Sequence, residues 1–449
     1  MKDLEYNYFD EKREKKPWSE LEENFLKRGK WTLQRLYDNI PFMKKRCQEA
    51  GINPSDIKSV KDFEKVPYML KRDFLESFPD KLICTPKGDL VRMHATSGTS
   101  GHQPTCGFYN QQDLDDWSYL CARNLAAIGM TKEDVFQNTT SAGLFTGGFG
   151  YAQGCTVLGA MLIPFGPGMT SRQLEFFRNF KVTAIHGIPS FGLRLAQVIE
   201  EEGVKKEDLY LKYGMFGAEG WAESTRKTIE DRLGIKAYDN WGMTECYGPG
   251  PSVECQEQNG LHIWSDYFYP EIIDPKTGEV LPLGETGELV MTSLHKEALP
   301  IFRYRTGDIT ALHKSECPCG RTGFMMDRIK GRKDDMHVIK GVNVYPSMLE
   351  EEIFNLSKYF TDIYLIVYHT VGVMDTVTVN VEVNPGVDKN KAQQELEKNL
   401  REATFLGINV SIFDPGTLPR QQGKAIRTQD IRDRPDGYKG WLKMMTKKN

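Results

Sequence analysis

The 449-residue chain has no apolar run that approaches the length of a membrane span; "GAMLIPFG" is typical of what it offers. Its first residues, "MKDLEYNYFDEKREKKPW", are densely charged and lack the apolar core of a signal peptide, so a cytoplasmic protein is expected. There is no internal repeat and no low-complexity tract, which removes solenoid and linker-type architectures. The net charge of −4 provides no general attraction to nucleic acid or to an anionic membrane. Nine cysteines in a chain of this size do not make the disulfide framework of a small secreted domain; "YLCAR" at Cys121 reads as a buried, reduced thiol. One more absence is local. The hydroxyl- and glycine-rich "HATSGTSGHQPT" (94–105) lacks the lysine of a Walker phosphate loop and has His102-Gln103 where a cation would be expected.

What is present is globular. Hydrophobic residues make up 39% of the chain and aromatics 11%, enough for a sizeable core. The first ~90 residues read as helices broken by Pro and Gly, and "SDIKSVKDFEKVPYML" as a charged helical stretch. From about residue 130, short apolar strands alternate with amphipathic helices: "VTAIHGI" then "SFGLRLAQVIEEEG", and "LKYGMFGAE" then "GWAESTRKTIEDRLG". That alternation predicts an α/β fold with a largely parallel sheet. After "GRKDD" (331–335) the texture changes. "DTVTVNVEV" alternates strictly as a half-buried strand, "NKAQQELEKNLREAT" is an amphipathic helix, and "INVSIF" is another strand. A large domain over 1–330 and a small α+β domain over 331–449 are therefore expected, with the polar "GRKDD" as hinge.

Several segments can carry chemistry. In the opening loop, Thr96, Ser97, Thr99 and Ser100 offer hydroxyls, while Gly98 and Gly101 let backbone N–H groups turn toward one anion; a solvated turn has the same composition. "AYDNWGMTECYGPG" (237–250) sets Trp241 to stack on a purine, Thr244 to donate to a phosphate and Glu245 to take Mg²⁺, or else holds a core tryptophan beside a helix cap. In "FRYRTGDIT" (302–310), Asp308 follows a glycine turn and can accept both hydroxyls of a ribose, although Gly-Asp turns are ordinary. "DRIKGRKDDMHVIKGVNVYP" (327–346) follows, and then "LPRQQGKAIR" (418–427), with Lys424 on a Gly-led turn; a lone late lysine is commonly a surface charge.

Taken in order, these segments resemble the core motifs of the adenylate-forming acyl-CoA synthetases, and most nearly those of the phenylacetate–CoA ligase family. "GLFTGG" (143–148), "MFGAE" (215–219), "GLHIWSDYFYPEIIDP" (260–275) and "KEALPIFRYRTGD" (296–308) add to the resemblance, which spans roughly residues 60 to 435. It implies a large adenylate-forming domain with mostly parallel sheets and a small mobile α+β domain. Thr96 to Gly101 would surround the β- and γ-phosphates of ATP. Gly217, Ala218 and Glu219 would border the adenine. Trp241 would stack on it where the family usually has tyrosine, flanked by Asp239, Asn240 and Gly242. Thr244 would contact the α-phosphate, Glu245 the magnesium, and Asp308 the ribose, with Arg332 near ribose and phosphate. Asp334 would be the hinge and Lys424 the mobile catalytic lysine. Phe145, Gly147 and Gly148 would line the acid pocket. His102-Gln103 departs from the family's single lysine, which bears on the grip on pyrophosphate and not on the reaction.

The activity implied is activation of an arylacetic acid with ATP and Mg²⁺, then transfer to the thiol of CoA. The competing readings are a nucleotidyltransferase that stops at adenylation, like the relatives that attach AMP to a deazaflavin cofactor, and an enzyme that loads a carrier-protein thiol. The expected partners are small molecules, with a second copy of the chain as a candidate dimer partner. Finally, Cys255, His262, Cys317 and Cys319 make up a Cys₃His set suited to structural zinc, although only Pro318 separates the last two cysteines.

Overall fold

A computed structural model of the chain describes residues 5–96, 104–333, 337–339, 342–371, 374–419 and 427–446. They fall into two compact units: Met1–Gly187, Val198–Ala218 and Gly234–Ile329 in the first, Ile188–Gln197, Glu219–Leu233 and Lys330–Asn449 in the second.

The first unit opens with helices α1 (Glu11–Glu14), α2 (Trp18–Asn39), α3 (Pro41–Glu49) and α4 (Lys71–Glu76). Helix α2 buries Leu21, Phe25, Leu33 and Leu36, a stripe at three- and four-residue spacing that faces the core. The "SDIKSVKDFEKVPYML" stretch forms two short 3₁₀ turns, Pro54–Asp56 and Val60–Lys65, instead of one helix. The reason is local. Asp62 accepts from the N–H of Ser59 at 2.8 Å, which restarts the chain there, and extended Val66 before Pro67 ends it.

Strands β1 (Arg92–Ala95) and β2 (Cys106–Tyr109) form an antiparallel ribbon and lie in sequence on either side of residues 96–105. Next in chain order come α5 (Gln111–Ala127), β3 (Val135–Asn138), α6 (Thr146–Leu158), β4 (Met161–Ile163), α7 (Thr170–Asn179), β5 (Ala184–Gly187), α8 (Pro189–Glu201), β6 (Tyr213–Gly217), α9 (Glu223–Leu233) and β7 (Lys236–Met243); of these, α9 and the part of α8 up to Gln197 belong to the second unit and the rest to the first. The remaining strands of this unit are β8 (Gly248–Glu254), β9 (Leu261–Ile263), β10 (Phe268–Ile273), β11 (Thr286–Ser293), β12 (Tyr304–Lys314) and β13 (Phe324–Met326). Their order across the sheet is β10-β11-β12-β13-β9-β8-β7-β6-β5-β3-β4. The run from β4 to β7 is parallel, as the strand–helix alternation predicts, and the run from β7 to β10 is antiparallel.

In the second unit, β14 (Gly331–Arg332) precedes the hairpin of β15 (His337–Ile339) and β16 (Val342–Val344), and α10 (Pro346–Asn355) follows. Strands β17 (Phe360–Val371), β18 (Met374–Val383), β19 (Asn409–Phe413) and β20 (Thr428–Asp430) form a sheet ordered β19-β18-β17-β20. Helix α11 (Lys389–Thr404) buries Ala392, Leu396 and Leu400, and Trp441 of α12 (Gly437–Thr446) packs with Leu365 and Val367 of β17. Among the described residues no helix is long and apolar enough to cross a membrane.

Candidate active site

A single 3₁₀ turn, Thr244–Cys246, follows the end of β7, with all three residues buried. Tyr247 leaves it at φ +81°, a left-handed conformation that costs a non-glycine residue energy and must be held by its surroundings. Three donors hold it. The Tyr109 hydroxyl donates to the Tyr247 carbonyl at 2.7 Å, Lys296 Nζ to the Glu245 carbonyl at 3.2 Å, and the Tyr304 hydroxyl to Glu245 Oε1 at 3.0 Å. Strand β2 lies against the same turn, close enough that a Cβ on Gly107 would crowd the Thr244 carbonyl.

Lys296 is fully buried, with its ammonium 4.9 Å from the Tyr109 ring centre and 5.3 Å from that of Tyr247. Burial pulls its pKa below the usual lysine range, and the Asp113 carboxylate acts in the opposite direction. Asp113 is itself fixed by the N–H groups of Glu297 and Ala298, at 2.7 and 2.9 Å. The Lys296 amino group thus sits on the backbone of the Thr244–Glu245 turn. Neither Lys296 nor Tyr304 stands out in the sequence beyond belonging to the 296–308 motif; the available signal is a lysine that leads the mostly apolar "KEALPIF".

Trp241 and Asp308, separated by 67 residues, meet directly: the indole Nε1 donates to Asp308 Oδ2 at 2.9 Å. Next to them, Asn240 Nδ2 donates to the Phe216 carbonyl at 2.8 Å, and Gly217 packs so closely on Asn240 that a Cβ there would collide with it. Ala218 follows at φ +66°. Asp239 receives Arg328 Nε at 3.0 Å, and its backbone N–H donates to Glu254 Oε2 at 2.7 Å. The ends of β6, β7 and β12 therefore bring Gly217, Asp239, Asn240, Trp241, Thr244, Glu245 and Asp308 into linked contacts.

At the start of α6, Asn138 Nδ2 donates to the Gly148 carbonyl at 2.6 Å, which ties that helix to β3. A Cβ on Gly148 would strike the Ser141 carbonyl, whereas Gly147 faces open space. Phe145 is 46% exposed. His186 packs against Tyr151 with the ring planes tilted by 55°, and its Nδ1 lies 3.1 Å from Asn138 Oδ1; burial lowers its pKa to about 3, so it is neutral.

Thr96 Oγ1 accepts the N–H of Thr105 at 3.0 Å. Ser97, Gly98, Thr99, Ser100, Gly101, His102, Gln103, Asp334 and Lys424 lie outside the described residues. Glu219 and Arg332 belong to the second unit, where Glu219 accepts from the backbone N–H and hydroxyl of Ser190. In that unit Arg427, shortly after Lys424, is fixed by Glu350 at 3.0 Å and Tyr364 at 2.7 Å.

A second constellation lies at the far end of β8 and β9. Cys255 Sγ is 3.6 Å from Cys317 Sγ, Cys319 Sγ is 3.4 Å from His262 Nε2, and the four potential ligand atoms all lie within 4.8 Å of one another. All four residues are buried. The Tyr8 hydroxyl donates to the Cys319 carbonyl, so the N-terminal segment rests on this cluster. The remaining cysteines are free thiols dispersed through the fold.

Comparison with known proteins agrees with this geometry. Residues 15–295 match the family model described as AMP-binding enzyme, and residues 341–432 that of the AMP-binding enzyme C-terminal domain. A phenylacetate–coenzyme A ligase of Pseudomonas putida is 41% identical over 422 residues, which cover 92% of this chain and 94% of that protein. One of Escherichia coli strain K12 is 39% identical, covering 92% and 95%. Among solved structures, a 2-hydroxyisobutyryl-CoA ligase in the postadenylation state, in complex with 2-HIB-AMP, matches with a TM-score of 0.89 at 28% identity, covering 100% of this chain and 96% of that one.

Proposed function

The chain belongs to the AMP-binding enzymes, among the phenylacetate–coenzyme A ligases, and on that premise we propose that it joins an arylacetic acid to CoA through an acyl-AMP intermediate, releasing AMP and pyrophosphate. What carries this reading is the meeting of the end of β7 with β12, which sets Trp241 on Asp308 and Tyr304 on Glu245.

The mechanism follows from charge. A carboxylate attacking the α-phosphate of ATP meets like-charge repulsion, so the site must supply cations and fixed donors. Thr244 donates toward the α-phosphate, and the Glu245 carboxylate would hold Mg²⁺, which supplies charge neutralisation when bound. Glu245 is suited to a metal because it is buried, oriented by Tyr304, and fixed through its backbone by Lys296. Trp241 offers a face to the adenine and Asp308 accepts from the ribose. Lys424 provides the mobile positive charge for adenylation. It would obstruct thiol attack in the second step, so the small domain, residues 331–449, turns at Asp334 between the two. Hydroxyls and amides of the 96–101 loop hold the leaving pyrophosphate without the family's lysine. Phe145, Gly147 and Gly148 border the acid. Dispersed free thiols suit a reducing, cytoplasmic setting.

Pyrophosphate exchange across a panel of aryl acids, with and without CoA, tests this. Exchange should be strongest with arylacetates, and CoA should be needed to release AMP. AMP transfer to a non-thiol acceptor would overturn the thioester assignment, and release only with a carrier protein would overturn the assignment of CoA as the thiol.

The Cys₃His cluster fits a closed structural zinc site in donor type, number and mutual spacing. Cys255, His262, Cys317 and Cys319 would hold the ion, tie "ECPCGR" to the 255–262 segment, and take no part in the reaction. Elemental analysis of protein purified without added metal should find about one zinc per chain. Cys317→Ser should lose that zinc and melt several degrees lower; metal-free protein of unchanged stability contradicts the site.

A further inference from the structure

We propose that Trp241 is the positioning residue for Asp308, so that the selectivity of this chain for a ribonucleotide is set through the indole N–H as well as the carboxylate. This rests on the assignment of Asp308 to the ribose.

The bond is not one that a regular sheet would make. Strands β7 and β12 are separated in the sheet by β13, β9 and β8, so no ladder pairs them. Each partner sits at its own backbone irregularity. The register of β7 against β8 shifts between Trp241 and Gly242, and a Cβ at Gly242 would collide with the Gly248 carbonyl, so this close approach requires glycine. On β12, Gly307 at φ +79° precedes Asp308, whose N–H is turned back onto Thr306 Oγ1 at 3.0 Å. Thr306 Oγ1 in turn donates to the Leu289 carbonyl at 2.8 Å. Two local distortions, in different strands, thus converge on a single 2.9 Å hydrogen bond.

The chemistry of the pair is asymmetric. An indole nitrogen only donates, and an ionised carboxylate only accepts, so the bond has one polarity. Both residues are buried, Trp241 to 8% exposure and Asp308 to 5%. The carboxylate plane is therefore fixed before the nucleotide arrives. The same ring that offers a face to the purine fixes the group that accepts from the sugar, which couples base stacking to ribose recognition in one side chain. Phenylalanine in its place keeps a flat ring and loses the donor.

The test compares kcat/KM for acid-dependent pyrophosphate exchange with ATP, 2′-deoxy-ATP and 3′-deoxy-ATP, in wild type, Trp241→Phe, Asp308→Asn and the double variant. Trp241→Phe should lose about tenfold with ATP, mainly through KM, and much less with the deoxy analogue that wild type discriminates against. In the Asp308→Asn background the same change should add little, because the bond's purpose is already gone. Trp241→Tyr, which restores a polar ring edge, should recover part of the preference. Equal losses of Trp241→Phe on ATP and both analogues, additive with Asp308→Asn, would mean that the ring acts by stacking alone and would overturn the proposal. Undiminished ribose preference in Asp308→Asn would instead remove the ribose assignment beneath it. Comparison within each variant, analogue against ATP, keeps the result independent of how much protein folds.

Discussion

Lys424→Ala should lose acyl-adenylate formation by about a thousandfold or more, roughly 4 kcal/mol of transition-state stabilisation, while keeping most of its rate of thioester formation from presynthesised acyl adenylate. The split is expected because the lysine's charge is needed only while charge develops at the α-phosphate. Thiol attack on the acyl carbonyl produces no comparable charge there. The two half-reactions can be assayed separately, by pyrophosphate exchange and by thioester yield from the added adenylate. Equal loss in both would mean that the substitution damages the fold or the turning of the small domain.

Glu245→Gln should be nearly as severe, with about a hundred- to thousandfold loss in adenylation and a raised requirement for Mg²⁺. The substitution is chosen because the amide oxygen can still accept the Tyr304 hydroxyl, and the Lys296 bond goes to the backbone carbonyl. The buried turn therefore keeps these two bonds while it loses the negative charge. A melting temperature close to wild type, with activity titrating at higher Mg²⁺, is the expected pair of results. An unchanged Mg²⁺ dependence would separate Glu245 from the metal.

How much of this was legible in the sequence depended on whether the signal was local. The strand–helix alternation from 182 to 233 predicts β5, α8, β6 and α9, because buried parallel strands and amphipathic helices each carry their own period. Strand β8 is the opposite case. "GPGPSVE" has the composition of a turn, and tertiary contact overrides it. Trp117 Nε1 donates to the Pro249 carbonyl at 2.7 Å, and a Cβ on Gly150 of α6 would press into both. Small residues there serve close packing, and no propensity records that. The site divides in the same way. Trp241, Thr244, Glu245 and Asp308 are visible because they cluster in short motifs. Their supports are not, since Lys296 and Tyr304 reach Glu245 from 51 and 59 residues away. The Cys₃His set was legible from residue type alone, and the short Cys-Pro-Cys spacing proves compatible with a compact group of four.

The most direct single measurement is the nucleotide product formed in the presence of ATP, Mg²⁺, CoA and phenylacetate. Acyl-AMP chemistry predicts one AMP and one pyrophosphate for each thioester, with no nucleotide turnover when the acid is omitted. ADP and inorganic phosphate in place of AMP and pyrophosphate would place the attack at the γ-phosphate and contradict the adenylate mechanism.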